Sequence, residues 1–441
     1  MRYLGIDLGT TFIKGAVLDL ASGTLGAIQR RPFPEPVPGL PAGYFEVAPG
    51  AIVAAVRDLI GELLRAAPDS SGLMLSSQMH ALVLCDSNGE PASNVVTWRD
   101  SRALDRHPAG GTFFERLAAQ LSEGDRQALG NELRPGLPIC ALFWMREMGA
   151  LPAGTIALGL ADFVLWQLCG HEPATEPTIA ASQGAFNIGT GDWHRSLLER
   201  LGLGGVRWPP IGAFNQPAGE MRLGDCTLAC FPGVGDQQSA LASAALQPGE
   251  LSLNISTGSQ ASLLRSDIVP GDYGIRPYFG GQWLHTITNV PAGRALALLV
   301  DLLTELPRAQ GLALSDPWGY IAQAVAATPA TDLTADLSFF GSVNGGALGN
   351  IHEGNLSAGH LFRATFEYMA GQYAACAQRL APAADWERIV FSGGLVQAMP
   401  PLRAAIMQRL GGTYRLCDTN EDALAGLLVL ARLADEQRKL A

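Results

Sequence analysis

The sequence predicts an α/β protein of two domains, and three observations support this prediction. At 441 residues the chain is too long for a single hydrophobic core. A strand, a glycine turn and a second strand occupy Met1–Leu20, and the same arrangement returns at Leu251–Leu264. Segments of helical spacing and short buried strands fill the sequence between them. We therefore predict a duplicated fold with domains at residues 1–246 and 247–441.

The opening hairpin has the chemistry of a phosphate-binding turn. We expect Gly9 to take a positive φ and to let the backbone approach a ligand closely. Thr10 and Thr11 add N–H and hydroxyl donors, and Lys14 adds a positive charge. Asp7 would repel a bare phosphate but would accept one that carries Mg²⁺. The alternative is an ordinary hairpin whose aspartate and threonines make only turn hydrogen bonds.

The composition argues against nucleic acid as the main partner. Hydrophobic residues make up 48% of the chain and charged residues 16%, which is typical of a soluble globular protein. The net charge is −11, whereas phosphate backbones are bound by a surplus of Lys and Arg. Among the 30 basic residues only Lys14 and Lys439 are lysines, which reflects either a genomic preference for Arg or a function of Lys14.

The cysteines and the first residues predict a cytoplasmic protein. The 7 cysteines contain no CxxC pair, and their odd number favours reduced, mostly buried thiols. Met1 leads directly into a strand, which predicts no signal peptide, and no apolar run is long enough to span a bilayer. We expect no membrane partner, and a homodimer is left open.

Two further places in the first half carry candidate functional residues. A buried strand at Leu73–Leu75 delivers Gln78, Met79 and His80 to its carboxyl end, where ligands bind in α/β sheets. Later, a Gly-x-Gly turn places Asp236 at the start of a helix of small residues, where the helix dipole favours its charged form. The alternative for Asp236 is a simple N-cap.

The second half repeats the glycine turn and adds a glycine pair. Thr257 and Gly258 lie in the turn of the second hairpin, so the two hairpins together suggest a nucleotide whose phosphates are held between the halves. Gly393 and Gly394 stand between a strand and a helix, where a flat group such as adenine can lie against bare backbone. Three longer helices are predicted at Val290–Leu303, Ser357–Leu380 and Glu421–Ala434.

Six motifs in this order resemble those of the FGGY family of carbohydrate kinases. They are Asp7-Leu8-Gly9-Thr10-Thr11, Gln78-Met79-His80, Trp98-x-Asp100-x-Arg102, Gly235-Asp236-Gln237-Gln238, Ser256-Thr257-Gly258 and Ser392-Gly393-Gly394. The resemblance covers essentially the whole chain, and the combination is far more specific than any single motif. It implies two domains of the actin-like, ribonuclease-H-like ATPase fold facing a central cleft in which ATP and sugar meet.

The resemblance also implies a role for each matching position. The hairpin from Asp7 to Lys14 is similar to the family's first phosphate motif, Thr257-Gly258 to the second, and Gly393-Gly394 to the adenosine motif. Met79 and His80 resemble the sugar-contacting pair, and Asp236 matches the catalytic base.

The expected chemistry is phosphoryl transfer to a sugar hydroxyl. Asp236 would take the proton of the attacking hydroxyl, while Mg²⁺ near Asp7 and Asp236 would stabilise charge. Gln78, His80 and Gln237 have the donors and acceptors that a polyol needs, and Trp98 offers a flat apolar face to a sugar. For His80 and Trp98 the alternative is a buried side chain with protein partners only.

The sugar is less well defined than the reaction. The second half is most similar to sedoheptulokinases, in motifs such as Arg276-Pro277-Tyr278-Phe279, whereas Gln78-Met79-His80 suits xylulokinases as well. Ser77 replaces the glycine usual before the Gln-Met-His motif, and the helix at Leu142–Met148 lacks a lysine common in relatives. The segment from Arg106 to Gly136 would shape either the sugar pocket or a subunit contact.

Other classes of protein remain to be distinguished. A chaperone ATPase or filament protein of the same superfold would share both hairpins but has no need for Gln78-Met79-His80 together with Asp236. A sugar sensor without activity would bind a ketose without turnover. A P-loop kinase is disfavoured because the sequence contains no GxxxxGK[ST] stretch.

Overall fold

The chain forms two compact units. The computed structural model describes residues 1–328, 330–339, 345–417 and 421–440. The first unit comprises Met1–Ala245, Ile275–Gly281 and Thr419–Ala441, and the second comprises Leu246–Gly274 and Gln282–Asp418. The first passage between units follows Ala245, next to the boundary expected from the sequence. The C-terminal residues differ from that expectation, because they belong to the first unit.

The strands are short, and most are preceded or followed by a turn. In chain order they are β1 Arg2–Leu8, β2 Phe12–Asp19, β3 Thr24–Pro32, β4 Glu46–Val47, β5 Gly72–Ser77, β6 Val83–Cys85, β7 Val95–Val96, β8 Ile156–Leu158, β9 Phe186–Asn187, β10 Asp192–Trp193, β11 Gly219–Leu223, β12 Cys226–Cys230, β13 Val234–Gly235, β14 Glu250–Ile255, β15 Ser259–Arg265, β16 Gly274–Pro277, β17 Trp283–Val290, β18 Thr334–Asp336, β19 Ala347–Gly349, β20 Arg388–Ser392 and β21 Tyr414–Leu416.

The helices range from one turn to six. In chain order they are α1 Pro49–Ala66, α2 Phe113–Ala118, α3 Glu123–Ala128, α4 Pro138–Glu147, α5 Leu160–Cys169, α6 Pro177–Ala181, α7 Arg195–Arg200, α8 Asp236–Ser243, α9 Gly293–Ala309, α10 Pro317–Ala327, α11 Ala358–Leu380, α12 Gly394–Ala398, α13 Pro400–Leu410 and α14 Asp422–Leu440.

The first unit is built on a mixed sheet covered on both faces. Its order is β11-β12-β5-β1-β2-β3, with β13 also paired to β5. β1 and β2 form the predicted antiparallel hairpin, while β12, β13 and β1 run parallel to β5. Because side chains alternate along β1, Leu4, Ile6 and Leu8 pack against α1 and α5, while Tyr3 packs on the face covered by α14. Asp7 lies an even number of positions after Tyr3 in β1, so its side chain is on the same face of the sheet, the one covered by α14.

The second unit contains the repeated hairpin. Four pairings join five of its strands in the order β17-β15-β14-β20-β21, and β14 and β15 form the antiparallel hairpin predicted from the sequence. β20 runs parallel to β14, so both strands end at one edge. The long helix α11 is fixed to this sheet by Tyr373, whose hydroxyl donates to Ser259 Oγ on β15 over 2.8 Å.

The C-terminal helix α14 packs on the first unit because its apolar face matches that sheet. Leu424, Leu427 and Ala431 lie in one buried cluster with residues of β1, β2 and β5. Gly426 lies against α8 so closely that a Cβ there would be 1.8 Å from the carbonyl oxygen of Ser239. The sequence-based division had placed this helix in the second domain.

Two smaller expectations are corrected by the structure. Gly9 is not among the glycines with positive φ, and a side chain is excluded there instead because a Cβ would lie 2.8 Å from the carbonyl oxygen of Phe12. The helix expected at Val290–Leu303 begins only at Gly293, because Val290 is the last residue of β17.

Within the part of the chain that the structure describes, none of the helices combines the length and apolarity required to cross a bilayer. All 7 cysteines are free thiols, and most of them are buried.

Candidate active site

Three parallel strands of the first unit end side by side and deliver the predicted acidic residues. Asp7 on β1 is in register with Ser76 on β5, and Val234 on β13 is in register with the same serine. Asp236 follows β13 directly as the first residue of α8. The carboxyl edge of a sheet is where α/β proteins bind ligands. The structure therefore brings Asp7 and Asp236 to one edge of the sheet.

The two carboxylates influence each other. Burial raises the pKa of Asp236 to about 7, and the negative charge of Asp7 contributes to this increase. Burial likewise raises the pKa of Asp7 to about 6, although Ser76 donates a hydrogen bond of 2.9 Å to its Oδ1. A pair of acidic groups with raised pKa values suits a proton acceptor or a divalent cation.

The turn after β1 is exposed, as a phosphate-binding turn must be. Thr10 and Thr11 are exposed, and the Gln78 amide donates to the Gly9 carbonyl over 3.4 Å, which ties the turn to β5. Lys14 lies opposite Asp7 in the hairpin register, but its ammonium group is paired with Glu421 at 2.6 Å. The structure therefore gives Lys14 a protein partner that the sequence did not suggest.

His80 lies at the same edge in a strained conformation. Its φ is +63°, which non-glycine residues rarely adopt outside functional or tightly constrained sites. Its Nδ1 lies 2.8 Å from the carbonyl oxygen of Ser182, and its Nε2 contacts the guanidinium of Arg134. A carbonyl only accepts and a guanidinium only donates, so the proton is on Nδ1 and Nε2 is the acceptor. Burial, Arg134 and Arg276 lower the pKa of His80 well below its usual value, so the ring is neutral.

A buried polar network that sequence reasoning missed surrounds Gln237. Arg276 makes two hydrogen bonds to the carboxylate of Glu132, each of 2.8 Å, and donates its remaining terminal nitrogen to Oε1 of Gln237. Burial raises the pKa of Glu132, but Arg276 and Arg134 lower it to about 2. Glu132 and Arg134 belong to the segment whose role the sequence left open, and both now contact predicted site residues or their partners.

A second chain of hydrogen bonds supports the start of α8. The N–H of Gly235 donates to Oγ1 of Thr178 over 2.9 Å, and the Thr178 hydroxyl donates to the carboxylate of Glu176. Thr178 is fully buried, and Glu176 is nearly so. Because Gly235 directly precedes Asp236, this contact fixes the backbone that carries the predicted base. No motif in the sequence points to Thr178.

The remaining predicted sugar-binding residues differ in their positions. The sulfur of Met79 lies against Gly235, 3.3 Å from where a Cβ would be, so Met79 is beside Asp236. Trp98 is 44% exposed, and its carbonyl lies against Gly136, close in sequence to Arg134. The indole of Trp98 is therefore available to a ligand, but the structure gives it no direct contact to Asp236 among the described residues.

The second unit presents its own glycine sites at one sheet edge. The turn of Ser256, Thr257 and Gly258 follows β14, and the N–H groups of Gly293 and Arg294 donate to Ser256 and Thr257 carbonyls over 3.0 and 2.8 Å. Gly393 follows the neighbouring strand β20 with a φ of +95°, and a Cβ there would lie 2.5 Å from the Ile255 carbonyl oxygen.

The glycine pair therefore combines a constrained position with an open one. Gly394 has free space where its side chain would be, which leaves bare backbone for a flat ligand.

The acidic pair suits a divalent cation that takes only part of its ligands from the protein. Within the described part of the chain it does not form a closed metal site in which the protein supplies every ligand. Among residues 1–328, 330–339, 345–417 and 421–440 no group of three or more His, Cys, Asp and Glu is arranged to hold a metal ion. Asp7 and Asp236 offer two carboxylates, and Mg²⁺ commonly takes one or two carboxylates and completes its shell with water and phosphate oxygens. A cation there would also relieve the repulsion that raises the pKa of Asp236.

Comparison with known proteins identifies a family. Residues 2–241 match the model of the N-terminal domain of the FGGY family of carbohydrate kinases. The mouse (Mus musculus) sedoheptulokinase is 26% identical over 423 residues, which cover 82% of each chain. A glycerol kinase of Marinomonas sp. (strain MWYL1) is 28% identical over 271 residues, 58% of this chain and 53% of the kinase. The chain thus spans about half the length of the curated glycerol kinases that it matches.

Solved structures show the same fold. The ligand-bound xylulose kinase from Lactobacillus acidophilus superimposes with a TM-score of 0.82 at 19% identity, covering 99% of this chain and 90% of that one. The architecture of the chain is therefore the two-domain, actin-like sugar-kinase fold.

Proposed function

Because the chain belongs to the FGGY family of carbohydrate kinases, we propose that it transfers the γ-phosphate of ATP to a terminal hydroxyl of a ketose, with sedoheptulose as the preferred acceptor. The product would be sedoheptulose 7-phosphate. The observation that carries the proposal is the position of Asp236, at a carboxyl sheet edge shared with Asp7 and beside the buried amide of Gln237.

Asp236 acts as the general base in this proposal. Its carboxylate removes the proton of the acceptor hydroxyl as that oxygen attacks the γ-phosphorus, the new P–O bond forms, and the bond to ADP breaks. A pKa raised to about 7 by burial and by Asp7 suits a base that works near neutral pH. The neutral His80, with its Nδ1–H held by Ser182, keeps its ring in one orientation for sugar binding.

Each unit has glycine sites of the kind that bind parts of a nucleotide. Gly9, Thr10 and Thr11 supply exposed backbone and hydroxyl donors for phosphate, and Thr257-Gly258 and Gly393-Gly394 would serve phosphate and adenosine. Asp7 and Asp236 would hold Mg²⁺, which when bound neutralises charge on the transferred phosphoryl group. We infer a cytoplasmic location from the free cysteines.

The extent of similarity supports sedoheptulose as the acceptor. The mouse sedoheptulokinase is matched over 82% of both chains, whereas the glycerol kinases are matched over about half of theirs. The alternative acceptor is xylulose, which the similarity to the Lactobacillus acidophilus xylulose kinase and the Gln78-Met79-His80 motif favour.

A coupled ADP-release assay over sedoheptulose, xylulose, ribulose, gluconate and glycerol tests the proposal. We expect the highest kcat/KM with sedoheptulose. Asp236→Asn is expected to keep ATP binding and to lower kcat about 10²- to 10⁴-fold, because it removes the base and preserves the side-chain size. The exposed Asp225→Asn is the matched control and should retain full activity.

Three outcomes would contradict the proposal. Near-normal turnover by Asp236→Asn would remove Asp236 from the mechanism. ATP hydrolysis that no sugar changes would favour a chaperone-like ATPase of the same fold, and ketose binding without turnover would favour a sugar sensor.

A further inference from the structure

The ion pair of Glu132 and Arg276 reaches the predicted substrate residue Gln237. Nε and Nη2 of Arg276 each lie 2.8 Å from a different oxygen of Glu132, and Nη1 donates to Oε1 of Gln237. The side chains of Arg276 and Glu132 are 5% and 10% exposed. Two parallel hydrogen bonds fix both the position and the plane of a guanidinium. The third nitrogen is therefore held in a defined place beside the Gln237 amide.

The amide of Gln237 has one satisfied end and one unsatisfied end. Its Oε1 accepts from Arg276, whereas its Nε2 is buried without a hydrogen-bond partner among the described residues. A rotation of the amide by half a turn would place its NH₂ against the guanidinium, and two donors cannot bond to each other. Arg276 therefore dictates that Nε2 points away from the ion pair. A buried donor that lacks a partner costs stability, so its persistence points to a ligand that supplies the acceptor.

The backbone holds Arg276 in this place. Arg276 belongs to the stretch Ile275–Gly281, which is part of the first unit although the chain on both sides belongs to the second. The N–H of Ile275 donates to the carbonyl of Gly130 over 2.8 Å. Gly130 has a φ of +65°, and a Cβ there would lie 2.1 Å from the carbonyl oxygen of Ile275. Only glycine permits this approach, which brings Arg276 and Glu132 together.

We propose that the pair of Glu132 and Arg276 is a positioning device that orients the Gln237 amide, so that Nε2 donates to a hydroxyl oxygen of the phosphate acceptor. Arg276 acts through Gln237, which follows Asp236 in the chain, and is thus a positioning residue for acceptor binding. The inference rests on the proposed function, since the acceptor is the polyhydroxyl substrate of the kinase.

A double-mutant cycle, measured as the KM for the acceptor, tests whether Glu132 and Arg276 act through Gln237. The four proteins are the wild type, Gln237→Met, the pair variant Glu132→Met/Arg276→Met, and the triple variant. Removing both members of a buried ion pair avoids an uncompensated charge, and methionine preserves much of the side-chain volume. Gln237→Met and the pair variant should each raise acceptor KM about 3- to 10-fold, because each loses one oriented hydrogen bond. KM for ATP should not change.

The triple variant separates positioning from a general structural role. If Arg276 acts through Gln237, the triple variant should have the same acceptor KM as Gln237→Met alone, because the oriented amide is already gone. Independent effects would multiply instead. Arg200→Met is the matched control, because it removes an ion pair of 2.6 Å with Asp125, an N-terminal capping residue of α3. It should change the melting temperature without changing KM.

A conservative variant covers the case in which the pair variant fails to fold. Arg276→Lys keeps the charge but cannot donate to both Glu132 oxygens and Gln237 in a fixed plane, so acceptor KM should rise although the melting temperature stays close to that of the wild type.

The outcomes distinguish this inference from the proposed function. A wild-type acceptor KM in the pair variant or in Arg276→Lys would overturn the inference, as would multiplied effects in the triple variant. Those results would leave the kinase activity intact. If the wild type itself releases no ADP in response to any acceptor, the proposed function fails, and the positioning role fails with it.

Discussion

Asp162 offers a test of how far burial raises the pKa of a carboxyl group. Its carboxylate is fully buried, and only one of its oxygens accepts hydrogen bonds from the described residues. Its Oδ2 accepts from the N–H of Gly159 over 3.2 Å and from the Thr175 hydroxyl over 2.9 Å. Its Oδ1 is without a hydrogen-bond partner in the described part of the chain. Burial raises the pKa of Asp162 to about 7. We expect Asp162→Asn, which keeps the shape and the acceptor oxygen but removes the charge, to stabilise the protein at neutral pH.

The sign and size of the effect follow from proton binding. Between pH 4 and pH 7 the folded protein retains a proton on Asp162 that the unfolded chain has released, so the contribution of Asp162 to the stability of the wild type falls as pH rises through this window. The shift from 3.8 to about 7 covers about three pH units, and at about 1.36 kcal/mol per unit it amounts to about 4 kcal/mol at most. Asn does not titrate, so its advantage over Asp should appear above pH 4, grow by about 1.4 kcal/mol per pH unit up to about pH 7, and stay constant above that pH.

Urea unfolding of both proteins from pH 4 to pH 8 measures this difference. The exposed Asp225→Asn is the control and should show no comparable trend. A difference in the free energy of unfolding that stays constant across the pH range would contradict the conclusion that burial raises the pKa of Asp162. An Asp162→Asn protein less stable than the wild type at pH 8 would contradict it as well.

Two further predictions concern the supports of the site. Thr178→Val should lower kcat about 3- to 10-fold, because the N–H of Gly235 loses its acceptor, and Thr178→Ser should restore it in steady-state assays. An unchanged kcat in the valine variant would contradict this role. Gly393→Ala should lower the free energy of unfolding by roughly 1–3 kcal/mol, because its φ is +95° and the new methyl would approach the Ile255 carbonyl. Gly394→Ala, whose methyl meets free space, is the control in urea unfolding, and equal stability of the two variants would contradict the argument.

The sequence could predict the parts of the site in which local patterns determine position. The sequence places Asp7 at the end of a strand and Asp236 at the start of a helix, whereas the parallel pairing of β1 and β13 with β5, which brings both to one edge, is visible only in the structure. The two hairpins were predictable from their apolar runs and glycine turns, and the structure confirms both. The reason that Gly9 must be glycine was not predictable, because it depends on how closely the Phe12 carbonyl approaches.

The polar network around Gln237 could not be predicted because its members are distant in the chain. Glu132 and Arg276 are separated by 144 positions, and Arg134 and His80 by 54. Neither Glu132, which lies in a loop, nor Arg276, which lies in the short strand β16, has a local pattern that identifies its partner, so the ion pair becomes visible only when both segments are in place. The same holds for Thr178, whose role depends on a contact with a backbone 57 positions later.

The position of the whole C-terminal helix α14 could not be predicted from the sequence either. Its apolar spacing predicts that one face is buried, but the spacing does not say against which sheet. The structure places that face on β1, β2 and β5, and it brings Gly426 against the backbone of Ser239 in α8. The Ser239 hydroxyl also donates to the carbonyl of Ala423 over 2.8 Å, and Glu421 binds Lys14 just before the helix begins. Since α8 begins at Asp236, the position of the proposed base depends on two contacts. One is the hydrogen bond between Thr178 and Gly235, the residue before Asp236, and the other is the packing of the C-terminal helix against α8.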